Sequence, residues 1–127
     1  MPAASLEGLN ILVLEDDFYI ADDTRETLES AGATVLGPCR DAVSGFRVLE
    51  GQHADCAVVD INLGQGPSFE PARELLARGI PVVLVTGYDQ GVIPAELADI
   101  HCLQKPTDAR KLVTAVRDVC NSGRSTS

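Results

Sequence analysis

The sequence predicts an α/β fold, a parallel β-sheet with helices on both of its faces. Three observations lead there. Short apolar runs recur five times, at residues 9–14, 33–36, 56–59, 81–85 and 100–103. The first, third and fourth are nearly continuous in Val, Ile and Leu rather than alternating, as strands covered on both faces should be. The runs are separated by segments of helical periodicity, and strands alternating with helices build a parallel sheet through right-handed crossovers.

The elements follow in order. After the first strand, Ile20, Thr24, Leu28 and Ala31 form one helical stripe, stopped by Gly32. Val43, Phe46 and Leu49 form a second, with Asp41 as its N-cap and Gly51 beyond its end. A third carries Phe69, Ala72, Leu75 and Leu76; Ser68 is its expected cap, Pro71 is tolerable in its first turn, and Gly79 stops it. The stretch 87–99 contains Gly91 and Pro94, which leaves room for only a turn or two of helix around residues 95–98. The last stripe is Leu112, Val113, Val116, Val119 and Cys120. No internal repeat or linker interrupts the pattern, so residues 1–127 read as one domain with an ordered core at about 8–120 and flexible ends at 1–6 and 121–127.

Composition narrows the function. The chain carries 19 acidic against 10 basic side chains, a net charge of −9. Nucleic acid is thereby an unfavourable partner, because its binding depends on Lys and Arg neutralising phosphates. No apolar stretch approaches the length that spans a bilayer, and the first residues lack the pattern of a signal peptide, so neither a membrane partner nor export is expected. Cys39, Cys56, Cys102 and Cys120 are widely spaced and read as reduced thiols acting as small hydrophobes, which suits a cytoplasmic protein. His53 and His101 have no ligand neighbours at zinc spacing.

Chemistry gathers where the strands end, the edge at which parallel α/β sheets bind ligands. The first strand runs into Glu15-Asp16-Asp17, the third into Asp60-Ile61-Asn62, the fourth into Thr86-Gly87 and the fifth into Gln104-Lys105-Pro106. Two carboxylates about 4 Å apart repel by roughly 4 kcal/mol at an effective dielectric near 20. Several gathered together therefore recruit a cation, and an all-oxygen set suits Mg²⁺. Lys105 is one of only two lysines in the chain and adds a positive charge able to meet a phosphate oxygen; Thr86 adds a hydroxyl. A carboxylate nucleophile, a divalent metal, an ammonium and a hydroxyl together describe phosphoryl transfer onto Asp60. The Gly64-Gln65-Gly66 turn is no phosphate-binding P-loop, so ATP is not the expected direct donor. Taken singly, the acids could merely cap a helix and Asp60 could be a turn residue; the four together, in this order, are what carries the reading.

These stretches, residues 11–17, 58–63, 83–87 and 103–106, closely resemble the receiver domain of two-component response regulators, over about residues 8–120. The resemblance implies a doubly wound, flavodoxin-like sheet of strand order 2-1-3-4-5. It implies Asp60 as phospho-acceptor, Asp16 as a direct Mg²⁺ (or Mn²⁺) ligand, Glu15 as a ligand through water and the Asn62 backbone carbonyl as a third. It further implies Thr86 and Lys105 on the phosphoryl group and a cis peptide before Pro106. The expected partners are a sensor histidine kinase or histidine phosphotransferase, docking against the first helix, and a separate output protein. The chain would then be a stand-alone receiver rather than an enzyme with turnover, catalysing only its own phosphorylation and dephosphorylation, as a signal carrier or a phosphate sink. Two departures stand out. Where many receivers place an aromatic switch residue, three before the lysine, this chain has Cys102; and Tyr88, two residues after Thr86, becomes a candidate gate. The Thr86-Gly87-Tyr88 run and the short fourth helix resemble receivers paired with HWE-type kinases in alphaproteobacteria. The alternatives are a phosphate-independent interaction module, which needs none of these site residues, and an Asp-nucleophile phosphatase, which usually has a second acid where this chain has Asn62.

Overall fold

The computed structural model describes residues 5–64, 66–87, 93–97 and 99–124. Five parallel strands, β1 (Asn10–Leu14), β2 (Thr34–Cys39), β3 (Cys56–Asp60), β4 (Val82–Thr86) and β5 (Cys102–Gln104), form one sheet in the order β2-β1-β3-β4-β5. The helices are α1 (Phe18–Ser30), α2 (Ala42–Val48), α3 (Glu70–Ala77) and α4 (Ala109–Arg124). Among the described residues between β4 and β5, Ala95–Leu97 forms a 3-10 turn, where the weak fourth helix was expected. Tyr88 and Ala98 fall outside the described residues.

The sheet separates two cores. Ile11, Val13, Val58 and Val83 join Leu28 of α1 with Leu112 and Val116 of α4 on one face. On the other, Leu12, Leu14, Val59 and Leu84 join Ala72 and Leu75 of α3, with Phe46 of α2 packed alongside. Successive strand residues thus serve opposite cores, which is why β3 and β4 had to be apolar throughout. The doubly wound prediction holds.

Local chemistry ends the helices. The Asp17 carboxylate accepts from the amides of Tyr19 and Ile20 at 2.9 and 3.1 Å and caps α1. At its far end the Ala33 amide donates to the Leu28 carbonyl and the Gly32 amide to Glu29, a Schellman closure. Gly32 sits at φ +104°, and a Cβ there would also collide with the Glu7 side chain at 2.6 Å. Asp41 caps α2 through the Ser44 amide at 2.8 Å, as expected.

Four boundaries differ from expectation. Phe69, not Ser68, occupies the N-cap of α3, and Ser68 contributes only a 3.4 Å acceptor for the Glu70 amide. The fifth strand was placed at 100–103 but pairs through Cys102–Gln104. β2 runs on past residue 36 to Cys39, because Gly37-Pro38, a cis pair, is absorbed as a bulge between the Leu12–Leu36 and Leu14–Cys39 pairings. Near the ends, Leu6, expected in the flexible N-terminus, is wholly buried and donates its amide to the Ala31 carbonyl at 2.8 Å, and α4 continues to Arg124.

Leu84 is fully buried in β4, its side chain in the second core. Leu84→Ala should lower unfolding free energy by about 2–5 kcal/mol, the usual cost of a cavity in such a place. Urea denaturation checks this, and a loss below about 1 kcal/mol would mean the core relaxes around the site.

Candidate functional site

Strand order reverses between β1 and β3, since the chain leaves β1 for β2 and returns on the other side. Beyond their carboxyl ends the helices on the two faces diverge and leave a crevice. Glu15 and Asp16 enter it from the end of β1 and Asp60 from the last position of β3. Carboxylate oxygens of these three residues lie within 4.8 Å of one another. An open cavity of about 510 Å³ runs over them, lined by Asp16, Asp60, Asn62, Gly87 and Lys105 among others.

Each member is held by backbone. The Glu15 amide donates to the Cys39 carbonyl at 2.9 Å, a contact made possible by the β2 bulge, and one Glu15 carboxylate oxygen accepts from the Asp17 amide at 3.2 Å. Asp60 is 3% exposed. One of its oxygens, Oδ1, accepts from the Asn62 amide at 2.9 Å, and Oδ2 accepts from Lys105 Nζ at 2.8 Å. Lys105 also reaches Glu15 Oε1 at 3.1 Å. Its backbone amide donates to the Thr86 carbonyl at 2.9 Å, so the ends of β4 and β5 are tied together under the site. The Asn62 side-chain oxygen accepts from the amides of Gly64 and Gly66, which shapes the loop after β3.

The electrostatics match the crowding. Burial, and next the adjoining Asp60 carboxyl, push Glu15 up to about 7, against the opposing pull of the Asp17 amide and Lys105. Burial alone would lower the Lys105 ammonium, but its contacts with Asp60 and Glu15 outweigh that and raise it. Three carboxyls and one ammonium leave an excess of negative charge on a set of hard oxygen donors, the set that suits a small divalent cation.

The sequence-derived residues therefore come together in part by direct contact. Glu15, Asp60 and Lys105 touch, Asp16 shares their acid cluster, Asn62 follows Asp60 in the loop and Thr86 is fully buried at the adjacent strand end. The Lys105–Pro106 peptide is cis. Cys102 lies opposite Leu84 in the β4–β5 ladder, half-buried rather than enclosed like the other three cysteines, and burial pushes its thiol up. Tyr88, the candidate gate, lies outside the described residues. What the sequence reading passed over is the pair Phe18 and Tyr19, which stand exposed beside the acids at the start of α1. Two adjacent rings in a chain with five aromatics were the available signal.

A five-stranded sheet of this order with acids at its switch point defines a class of signalling domains, and comparison with known proteins agrees. The chain belongs to the response regulator receiver domain family, which it matches over residues 11–117. It is 27% identical over 113 residues to the regulatory protein VirG of Rhizobium rhizogenes, which covers 85% of this chain and 46% of that protein. The chain thus spans about half the length of the curated relatives it matches. A response regulator receiver protein from Sinorhizobium medicae superposes with a TM-score of 0.76 at 28% identity, covering 94% of this chain and 99% of that one. A CheY-like receiver from Methanospirillum hungatei does so with 0.79 at 25%, covering 97% and 100%. The response regulator PhyR of Brucella abortus shares the fold at 0.84 and 21% identity, over 97% of this chain and 51% of that one.

A carboxyl held protonated up to about 7 in the fold, against 4.5 when unfolded, gives the folded chain more bound protons between those values. The stability this supplies is present at low pH and declines as pH rises through that window. Metal-free protein should accordingly unfold at lower urea at pH 7.5 than at pH 5.5, and Glu15→Gln should flatten the difference. An unchanged pH slope in the variant would mean that Glu15 is not the group responsible.

Proposed function

We propose that this receiver accepts a phosphoryl group on Asp60 from a phosphohistidine of a sensor kinase or phosphotransfer protein, and passes the signal to an output protein. The carrying observation is the clamp on Asp60, with Lys105 Nζ on one carboxylate oxygen at 2.8 Å and the Asn62 amide on the other at 2.9 Å, at the floor of an open acidic cavity. Such an aspartate is oriented, accessible through the cavity, and flanked by donors able to follow negative charge as it develops on the transferring group.

In the transfer, an Asp60 oxygen forms a bond to phosphorus as the bond from phosphorus to the imidazole nitrogen breaks, and the imidazole leaves with the electron pair. Lys105 exchanges part of its contact with Asp60 for the new phosphoryl oxygens, and the Thr86 hydroxyl, buried one strand over, supplies a second donor. Asp16, Asp60, the Asn62 carbonyl and Glu15 through water are the residues that would hold Mg²⁺ (or Mn²⁺). The ion supplies neutralisation of the phosphoryl charge. The chain acts in this reading as a stoichiometric acceptor that catalyses its own phosphorylation and hydrolysis, not as an enzyme with turnover. The Thr86-Gly87-Tyr88 run and the short Pro94-containing segment before β5 support a donor of the HWE kinase type.

The phosphoryl group adds about −1.5 to −2 of charge at the sheet edge. Leu97 is buried, Ile93 and Ile100 pack on the second core, and Glu96 pairs with Arg73 of α3. A re-seating of this turn is the response proposed to the added charge.

A small-molecule phosphodonor with Mg²⁺ should label the wild-type chain and leave Asp60→Asn unlabelled in an acid-gel or mass assay. Labelling that survives the substitution would remove Asp60 as acceptor. Lys105→Met should still accept phosphate, but at least tenfold more slowly, since the ammonium meets charge formed in the transfer. A wild-type chain that neither binds Mg²⁺ nor takes label would return the reading to a phosphate-independent interaction module.

A further inference from the structure

The basic side chains of this acidic molecule are unevenly spread. α4 carries Arg110, Lys111, Arg117 and Arg124 with Asp118 as its only acid. α1, packed beside it, holds Asp22, Asp23, Glu26 and Glu29 against Arg25 alone, and Arg25 is engaged by Asp22 and Glu29 at 2.6 and 2.7 Å. Between the two helices runs a groove of about 790 Å³. Ala31 and Val113 give its lining an apolar part and Thr114 a hydroxyl; Glu26 stands on the α1 side, Arg110 and Arg117 on the α4 side. Small-molecule sites occupy roughly 300–1,000 Å³ and combine an apolar lining with a few polar groups, as this groove does.

Arg117 supplies a second, independent observation. Among the described residues its Nε is the one buried side-chain nitrogen or oxygen without a hydrogen-bond partner. Its ion pair, from a terminal nitrogen to Asp118, is 4.0 Å long. A donor left in this state is costly, and a turn of the guanidinium onto an acceptor in the groove removes the cost. Arg110 lies seven residues earlier, hence on the same helix face and about 10 Å away along the axis. Among the described residues neither Arg110 nor Glu26 makes an ion pair.

We propose that the groove between α1 and α4 binds a small phosphorylated molecule of nucleotide size, its phosphates on Arg110 and Arg117 and its sugar hydroxyls toward Glu26. Two guanidinium forks spaced along one wall match an anion charged at more than one centre, and phosphate oxygens are bound by such forks bidentately. The Glu26 carboxylate repels a phosphate but accepts from hydroxyls, so the two walls sort the two ends of the ligand. A nucleic acid is not the occupant, because the net charge of −9 repels a long polyanion, whereas a small anion meets mainly the local field of α4. The groove shares no lining residue with the cavity over Asp60, and the proposal does not depend on the phospho-acceptor reading.

The test titrates the full chain with ADP, adenosine and inorganic pyrophosphate, in EDTA so that the acidic edge holds no metal, and follows calorimetry together with backbone amide shifts in NMR spectra. ADP should bind at one site and shift groove residues such as Ser30 and Val113, leaving Asp60 and Gly87 unmoved. Adenosine should bind at least about tenfold more weakly, and Arg117→Gln and Arg110→Gln should each weaken ADP by about tenfold. The melting temperature and the labelling of Asp60 by acetyl phosphate should not change in these variants. Glu26→Gln should weaken ADP and leave pyrophosphate unaffected. Absence of saturable ADP binding overturns the proposal, as do adenosine binding equal to that of ADP, shifts at Asp60 in place of the groove, and tighter ADP binding in Glu26→Gln. Should Arg117→Gln fail to fold, Arg117→Lys keeps the charge without the fork and should still weaken ADP several-fold; full affinity in either variant refutes the assignment. A wild-type dimer that Arg117→Gln dissociates, measured by sedimentation, overturns it in favour of a second copy.

Discussion

Three carboxyls with oxygens inside 4.8 Å of one another are the constraint around which this domain is arranged. Left alone, such a cluster would drive the strand ends apart, since two charges at about 4 Å cost roughly 4 kcal/mol even at a dielectric near 20. Two responses are visible in the fold. Lys105 places its ammonium between Asp60 and Glu15, and burial and Asp60 push Glu15 up to about 7, so that it carries only part of a negative charge near neutral pH. Both depend on the topology, because residues from β1, β3 and β5 meet only where the strand order reverses. The cluster is thus tolerated, not relaxed, and its residual charge on hard oxygen donors makes the edge receptive to a small divalent cation.

The cores exist to hold that edge still. β3 and β4 give alternate residues to opposite cores, so each is fixed on both faces and its last residue, Asp60 or Thr86, has little freedom. β1 is fixed likewise, and the bulge in β2 brings the Cys39 carbonyl to the Glu15 amide. A site built on strand ends is positioned more tightly than one on a loop, and the loop after β3 is stiffened in turn by the Asn62 side chain.

The legible part of this fold was the part carried by local pattern. Unbroken Val, Ile and Leu runs marked the central strands, because burial on both faces leaves no polar position to interrupt them. Gly91 and Pro94 left room for only a turn or two of helix, and among the described residues Ala95–Leu97 forms a 3-10 turn there. Asp60 and its neighbours at the sheet edge were legible because each ends an apolar run. Features set by distant contacts were not. Leu6 is buried by packing against residues far along the chain, and β2 crosses Gly37-Pro38, which read locally as a stop. Ser68 looked like a cap by type, yet the chain turns into α3 one residue later. Phe18 and Tyr19 escaped notice because a helical stripe identifies what a helix buries and is silent about what it displays.

The position of Cys102 bears on how the site communicates. A large aromatic there could change rotamer and carry the state of Thr86 to the outer face; a half-buried thiol has neither the reach nor the surface to do so. The backbone offers another route. Lys105 directly follows the three-residue β5, and its amide is bonded to the Thr86 carbonyl, so the side chain that meets Asp60 and the strand at the sheet's outer edge are one short lever. A change in the partners of the Lys105 ammonium alters the pull on that lever at its root. β5 is paired on one side alone, with β4, and is correspondingly free to respond. With the turn Ala95–Leu97 before it and tied to α3 through Arg73 and Glu96, any displacement of β5 would be felt in the helix layer through this ion pair.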